Sequence, residues 1–200
     1  MRRLFSALTA LTLVTCTDSA GPGGVPDSAL QIVRQDTLAP PLLTNQASFW
    51  AKVGDGREIR LHYQGATAAD TGDEYLRFEV PGDGLLRRPD GVLFQPGDSI
   101  LITVTVLDPA RFLYRFEPSG LQFNPSQPAR LKVRYFNGEH DFNNDGVEDA
   151  ADAEIESTQL DLWRRSTPGA LWFRIASVKF EELDELDANI LSFSDHAVAW

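Results

Sequence analysis

Cysteine is almost absent from this chain of 200 residues, which has a single copy at Cys16. One cysteine cannot form an internal disulfide bond, so a disulfide framework within the chain is excluded. The stability of the fold must therefore come from a packed core and from any metal ion that the chain binds.

Basic residues are also scarce. The chain has 18 lysines and arginines against 29 aspartates and glutamates, and its formal net charge is −11. A strongly acidic surface repels nucleic acid and anionic membrane surfaces and attracts divalent cations. We therefore exclude nucleic acid as a partner and expect a cation as the first candidate ligand.

Amphipathic helical periodicity is nearly absent, and short runs of alternating apolar and polar residues take its place. The clearest run covers residues 99–107, where Ile100, Ile102, Val104 and Val106 share one face. Alternation of this kind is typical of half-buried strands, and turn residues separate one run from the next. The sequence predicts an all-β fold, an antiparallel β-sandwich, in one domain that spans residues 47–200.

Two of these runs, residues 48–53 and 58–63, flank the turn Gly54-Asp55-Gly56 and predict a hairpin. Residues 180–186 are short and acidic and predict a turn or the entry to a strand. The remaining predicted strands cover residues 75–80, 112–116, 130–136, 159–164, 170–175, 188–193 and 196–200.

The N-terminus has the pattern of an export signal. Arg2 and Arg3 precede an apolar run over residues 4–15, which is too short to span a bilayer. The run ends at Leu13-Val14-Thr15-Cys16, which resembles the bacterial lipobox apart from its threonine. The resemblance implies cleavage before Cys16 and its lipidation; an ordinary signal peptide with an incidental thiol is the alternative.

The predicted domain boundaries follow from this reading. Residues 1–15 are a lipoprotein signal peptide, and their removal changes the formal charge from −11 to −13. Residues 16–46 are the lipidated cysteine and a tether, which is rich in Gly, Pro, Ser and Asp up to residue 28 and extended or loosely ordered beyond it. Thr17, rather than aspartate, follows the cysteine, which favours a lipid anchor in the bacterial outer membrane.

The strongest chemical motif is the acidic stretch at residues 141–152. It places oxygen-bearing side chains at positions one, three, five, nine and twelve and glycine, Gly146, at position six, which is the spacing of a twelve-residue calcium loop. Calcium takes six to eight oxygen ligands, and the backbone carbonyl at position seven adds one. The predicted ligands are Asp141, Asn143, Asp145, Val147, Asp149 and Asp152.

Two positions depart from an EF-hand. Position twelve is Asp152 in place of glutamate, and position eight is Glu148 in place of an apolar residue. The pattern resembles the loops of thrombospondin type 3 repeats more than those of dockerins, and it occurs once. The alternative is an acidic surface loop without a metal, since Asn, Asp and Gly dominate turns in any case.

A second resemblance covers roughly residues 75–200. Residues 114–123 and 128–135 resemble the "f-x-P-s-G-l-x-F … P-a-x-L-x-i-x-Y" core of the ZU domain of ankyrins, ZO tight-junction proteins and netrin receptors. Pro96-Gly97-Asp98-Ser99 and the terminus at residues 193–200 are similar to further motifs of ZU-like bacterial lipoproteins. The resemblance implies an antiparallel, immunoglobulin-like sandwich with a binding or structural role and no reaction.

No arrangement of residues predicts an enzyme. Ser194, Asp195 and His196 are consecutive, and neighbouring side chains in extended backbone point to opposite faces, so Asp195 cannot orient His196 as a triad requires. We therefore expect a non-enzymatic lipoprotein of the cell envelope that binds one structural calcium ion and contacts an envelope or extracellular protein. The alternative is a surface carbohydrate-binding module that uses exposed tryptophans; the candidates are Trp50, Trp163, Trp172 and Trp200.

Overall fold

Thirteen strands, all paired antiparallel, account for most of the regular structure in residues 23–67 and 70–200, the part of the chain that this computed structural model describes. The strands are β1 (Gln46–Lys52), β2 (Arg57–Gln64), β3 (Thr71–Val80), β4 (Leu85–Arg87), β5 (Ser99–Asp108), β6 (Leu113–Glu117), β7 (Gln122–Phe123), β8 (Ala129–Arg134), β9 (Asp161–Arg165), β10 (Phe173–Ile175), β11 (Ser177–Phe180), β12 (Glu185–Ile190) and β13 (Asp195–Ala199). One α-helix, α1 (Ala150–Thr158), and a 3-10 helix (Glu181–Leu183) complete the described elements.

The strands form two large sheets that pack face to face. One sheet has six strands in the order β1-β5-β6-β13-β9-β10, and the other has five in the order β11-β12-β8-β3-β2. Strands β4 and β7 form a small separate sheet. This arrangement confirms the predicted all-β sandwich.

The core lies between the two sheets and follows from the alternation in the strands. In β5 the side chains of Ile102, Val104 and Val106 are buried, as predicted, and the side chains between them are not. Aromatic rings bridge the two sheets: Phe78 of β3 lies 4.9 Å from Phe116 of β6 between ring centroids. Each fully buried side chain of this size contributes about 1.5–3 kcal/mol.

The predicted hairpin of residues 48–53 and 58–63 is wrong. A turn does join β1 to β2 at Gly54, but β1 pairs with β5 in the six-stranded sheet and β2 pairs with β3 in the five-stranded sheet. The turn residues specify a reversal of the chain, and the apolar faces of the two strands bury against each other from opposite sheets. A reversal signal does not by itself specify which strands pair.

The predicted domain boundary at residue 47 is also too late. We call residues 23–45 the N-terminal segment; they lie along the six-stranded sheet. Gln31 and Trp200 exchange two backbone hydrogen bonds of 3.0 Å, and the N–H of Val33 donates to the carbonyl of Val198 at 3.0 Å. The segment belongs to the domain because its apolar side chains cover the outer face of β13.

That outer face has its own small core. Leu30 of the N-terminal segment packs with Trp172, Ala197 and Ala199, all buried. Strand β13 is therefore buried on both faces, since its other side chains, including Val198, face the space between the sheets. This burial explains the nearly continuous apolar run at the end of the chain.

Candidate metal centre

The acidic stretch at residues 141–152 lies in the connection from β8 in one sheet, through α1, to β9 in the other. Phe142, its second residue, is buried, and its ring meets that of Trp200 edge to face at 5.1 Å. The hydroxyl of Tyr135 donates to Glu156 at 2.9 Å and joins the two ends of the connection. The loop is therefore anchored to the sandwich at two points.

Backbone N–H groups inside the loop point at its own acidic side chains. The two carboxylate oxygens of Asp141 accept from Asp145 at 3.1 Å and from Gly146 at 2.8 Å. Oδ1 of Asn143 accepts from Asp145 at 2.8 Å, and Oδ1 of Asp145 accepts from Val147 at 3.0 Å. The chain thus turns around these oxygens, each of which has a further lone pair.

Asp152 closes the loop and is only 2 % exposed. Its Oδ1 accepts from the N–H of Asn143 and its Oδ2 from the N–H of Asp149, both at 2.9 Å. Asp149 is also the N-cap of α1 and accepts from Ala151 at 2.7 Å. These hydrogen bonds to Asp152, from Asn143 and then Asp149, lower the pKa of its carboxyl group and keep it ionised.

The glycine at position six is required by the backbone. Gly146 has φ of +89°, and Asn144, two residues before it, has φ of +60°. The left-handed region is open to glycine and tolerated by asparagine, whereas other residues are strained there. Sequence and conformation agree at both positions.

The donor set fits calcium in its chemistry. Residues 141–152 hold five carboxylates and no basic residue, and all of the predicted ligand atoms are oxygens. Within residues 23–67 and 70–200, however, no three or more His, Cys, Asp and Glu side chains lie close enough together to hold a metal ion. The loop carboxylates are turned to backbone N–H groups, so calcium would have to draw them in together with the Asn143 amide and the Val147 carbonyl.

The neighbours Ser194, Asp195 and His196 do not form a triad. Asp195 faces away from the core, where Arg115 donates to it at 2.8 Å and Arg165 at 3.1 Å. Burial opposes ionisation of Asp195, but these two hydrogen bonds outweigh it and lower its pKa. Nδ1 of His196 meets the carbonyl of Ser194 at 3.2 Å instead of a carboxylate.

The four tryptophans do not form a common platform. Trp172 is fully buried, and Trp163 donates its indole N–H to the carbonyl of Ala199 at 2.9 Å. Trp200 packs against Phe142, and Trp50 alone among them is largely exposed, at 57 %. Trp50 lies on the edge strand β1, and three strands separate it from Trp163 on β9.

Sequence reasoning missed a pocket of about 450 Å³ that opens between the two sheets. Arg164 and His196 both line it, and they are register partners on β9 and β13. No local signal could have found this pair, because only the pairing of strands brings together two residues so far apart in the chain.

Cys16 and the rest of the predicted signal peptide lie outside the described residues, so lipidation stays a prediction. In residues 23–67 and 70–200 no helix has the length and apolar composition that a membrane span needs. Comparisons of the chain with protein-family models, with curated proteins and with solved structures found no match.

Proposed function

We propose that this protein is a non-enzymatic lipoprotein of the bacterial cell envelope whose β-sandwich binds one structural calcium ion and mediates contacts with another protein. The anchor is a lipid on Cys16, which attaches the domain to the outer membrane without a membrane-spanning segment. The calcium ligands are Asp141, Asn143, Asp145, Asp149 and Asp152, with the carbonyl of Val147.

The observation that carries the calcium assignment is the turn of the backbone around the acidic side chains of residues 141–152. The loop holds five carboxylates within twelve residues, and the repulsion among them costs free energy that a divalent cation removes. The anchoring of the loop through Phe142 couples that gain to the sandwich. A cation bound there therefore stabilises the whole domain.

Thermal unfolding in calcium, in magnesium and in EDTA tests this assignment. At about 100 times its dissociation constant a ligand adds roughly 2.7 kcal/mol to the stability of the folded state. For a domain of this size that corresponds to a rise of about 5–11 °C in melting temperature. Equal melting temperatures in the three buffers would reject the calcium site.

Asp145→Ala supplies the test of location, and Asp90→Ala is its matched control. Each aspartate accepts one hydrogen bond of 3.0 Å from the N–H two residues on, Val147 for Asp145 and Val92 for Asp90. Both substitutions therefore remove the same turn contact and one charge. We expect the calcium response to vanish in Asp145→Ala and to persist in Asp90→Ala.

The predicted lipid anchor on Cys16 is tested separately from the calcium site. Cells that express the protein and are fed a clickable fatty acid should label the wild type and leave Cys16→Ala unlabelled. Labelling of both proteins, or of neither, would remove the lipid anchor and leave the calcium result standing.

The edge strand β11 supports the proposed contacts with a protein. It pairs with β12 on one side only, and it leaves Val178 at 58 % and Phe180 at 42 % exposure. An unpaired edge with apolar side chains suits the addition of an extended segment from another chain.

Photo-crosslinking tests this edge. A photo-crosslinking residue at Val178 should give a discrete adduct in intact cells, and the same residue at Val92, which is 55 % exposed in a turn, should not.

A further inference from the structure

The pocket of about 450 Å³ between the sheets is unlike the rest of this acidic molecule. Its charged side chain is Arg164, and no aspartate or glutamate lines it. The apolar part of its wall comes from both sheets and from the loop before β8, with Pro128, Ile175 and Ile190 among its members. A volume of this size is typical of sites for small molecules.

Arg164 is exposed, and its side chain lines the pocket. Arg164 is two residues from the buried Leu162 in β9 and pairs with the buried His196 of β13, so the alternation of side chains places it on the same side of the sheet as both. It therefore faces the space between the sheets. Its guanidinium donates to the hydroxyl of Ser192 at 3.1 Å. It forms no ion pair with any carboxylate of residues 23–67 and 70–200. A guanidinium in such a place is free to bind an anion.

His196 lies directly opposite Arg164 in the ladder between β9 and β13. It is fully buried, and because its Nδ1 faces the Ser194 carbonyl at 3.2 Å, that nitrogen carries the proton and donates. Its Nε2 has no hydrogen-bond partner in the part of the chain that the structure describes. A buried nitrogen acceptor without a partner is costly, and a ligand donor would satisfy it.

The charge of His196 agrees with this role. Burial lowers the pKa of its ring most, and the positive charge of Arg164 lowers it further. The hydrogen bond to Ser194 acts in the opposite direction, and the resulting pKa is about 4. The ring is therefore neutral at pH 7, and Nε2 offers a lone pair in place of a proton.

We propose that this pocket binds a small apolar carboxylate that also carries one N–H or O–H donor, with the carboxylate on Arg164 and the donor on Nε2 of His196. An acylated amino acid with an aliphatic side chain has all three features. The same chemistry occurs at the free C-terminus of a peptide, so the source is either a free acid or a chain terminus. The site is separate from the calcium loop and does not depend on it.

Calorimetric titration of the full-length protein tests the three contacts with three probes. N-acetyl-leucine carries the carboxylate, the donor and the apolar group, its amide lacks the negative charge, and 4-methylpentanoic acid lacks the donor. We expect saturable one-to-one binding of N-acetyl-leucine and binding weaker by about tenfold or more for each of the other two. No saturable binding of N-acetyl-leucine, or equal binding of all three, would overturn the proposal.

Arg164→Gln tests the anion contact, with Arg57→Gln as the control. Arg164 is exposed and has no ion pair to lose, so its substitution should leave the fold intact, whereas Arg57 lies on β2 at the distant edge of the other sheet. We expect Arg164→Gln to weaken the binding of N-acetyl-leucine by about tenfold or more and Arg57→Gln to leave its binding unchanged. Equal affinity of the two variants would refute the site.

His196 is too deeply buried for a safe substitution, so its contact is read from the wild type. In a nitrogen-15 NMR spectrum the Nε2 signal of His196 should move on addition of N-acetyl-leucine and stay in place with 4-methylpentanoic acid. An Nε2 signal that does not shift at saturating N-acetyl-leucine would exclude His196 as the acceptor. A leucine-terminated hexapeptide then separates the sources: binding as tight as that of N-acetyl-leucine assigns the site to chain termini, and its exclusion assigns it to free acids.

Discussion

Asp195 is a buried carboxylate that forms ion pairs with two arginines. It is 4 % exposed and lies between Arg115 and Arg165, the second of which has only 12 % of its side chain exposed. Loss of Asp195 removes the carboxylate partner of Arg115, whereas Arg165 keeps Asp27 at 2.7 Å. Loss of one member of a buried ion pair costs more than the pair contributes. The three residues tie β6, β13 and β9 together on the outer face of the sheet.

We expect Asp195→Asn to lower the free energy of unfolding by about 2–4 kcal/mol in urea titrations. Asp55→Asn is the control, because the ion pair of Asp55 with Arg57 is about half exposed on both sides. Exposed pairs contribute about 0–1 kcal/mol, so the control should change little. Similar losses in the two variants would show that the burial of Asp195 does not matter.

His196 makes the stability depend on pH. Its pKa is about 4 in the folded protein against 6.5 for an ordinary histidine, so between these values the unfolded chain binds more protons than the folded one. Stability is complete above pH 6.5 and falls as the pH is lowered through that window, by about 3 kcal/mol from this residue. Asp195, whose pKa is lowered from 3.8, adds its own loss only at still lower pH.

Two measurements check the histidine prediction together. Urea unfolding between pH 7 and pH 4.5 should show a steady loss of stability, and proton NMR should show a His196 ring that stays neutral down to about pH 5. A His196 signal that titrates near pH 6.5 would contradict the prediction, whatever the unfolding curves show.

At the scale of elements, the N-terminal segment is the part most open to test. Leu30 is 7 % exposed in the small core on the outer face, whereas Leu38 in the same segment is 90 % exposed. Because a cavity replaces a buried leucine, Leu30→Ala should cost about 2–4 kcal/mol. Leu38→Ala should be nearly neutral in the same denaturant titration. Two neutral variants would mean that the segment is dispensable for the domain.

The same elements show how far the sequence alone could go. The alternation of Ile100, Ile102, Val104 and Val106 predicts β5 within one residue, because burial of one face produces that pattern directly. The turn spacing of residues 141–152 likewise predicts the bend at Gly146, which local hydrogen bonds determine. Local patterns report local structure well.

What the sequence could not predict depends on distant partners. The N-terminal segment has no periodicity, and its burial depends on Trp172 and β13, well over 100 residues later in the chain. The pocket depends on the register of β9 and β13, which sets Arg164 beside His196. A turn at Gly54 carries no information about the sheet that each flanking strand joins.

At the scale of the whole molecule, a net charge of −11 produces repulsion between like charges that destabilises the folded state. Salt screens this repulsion, since the Debye length falls from about 30 Å at 0.01 M to about 10 Å at 0.1 M. Salt also weakens exposed ion pairs, but each of these contributes little. Repulsion between like charges should therefore dominate the salt response.

We expect the melting temperature in EDTA to rise by about 2–4 °C between 10 and 150 mM sodium chloride, which corresponds to roughly 1 kcal/mol. A fall over the same range would show that the surface ion pairs outweigh the net charge. Calcium added at 150 mM sodium chloride should then raise the melting temperature further, because coordination by the oxygens of residues 141–152 acts at contact distance and is screened far less than the diffuse field. A calcium effect that disappears once sodium chloride is present would instead assign it to general screening of an acidic protein.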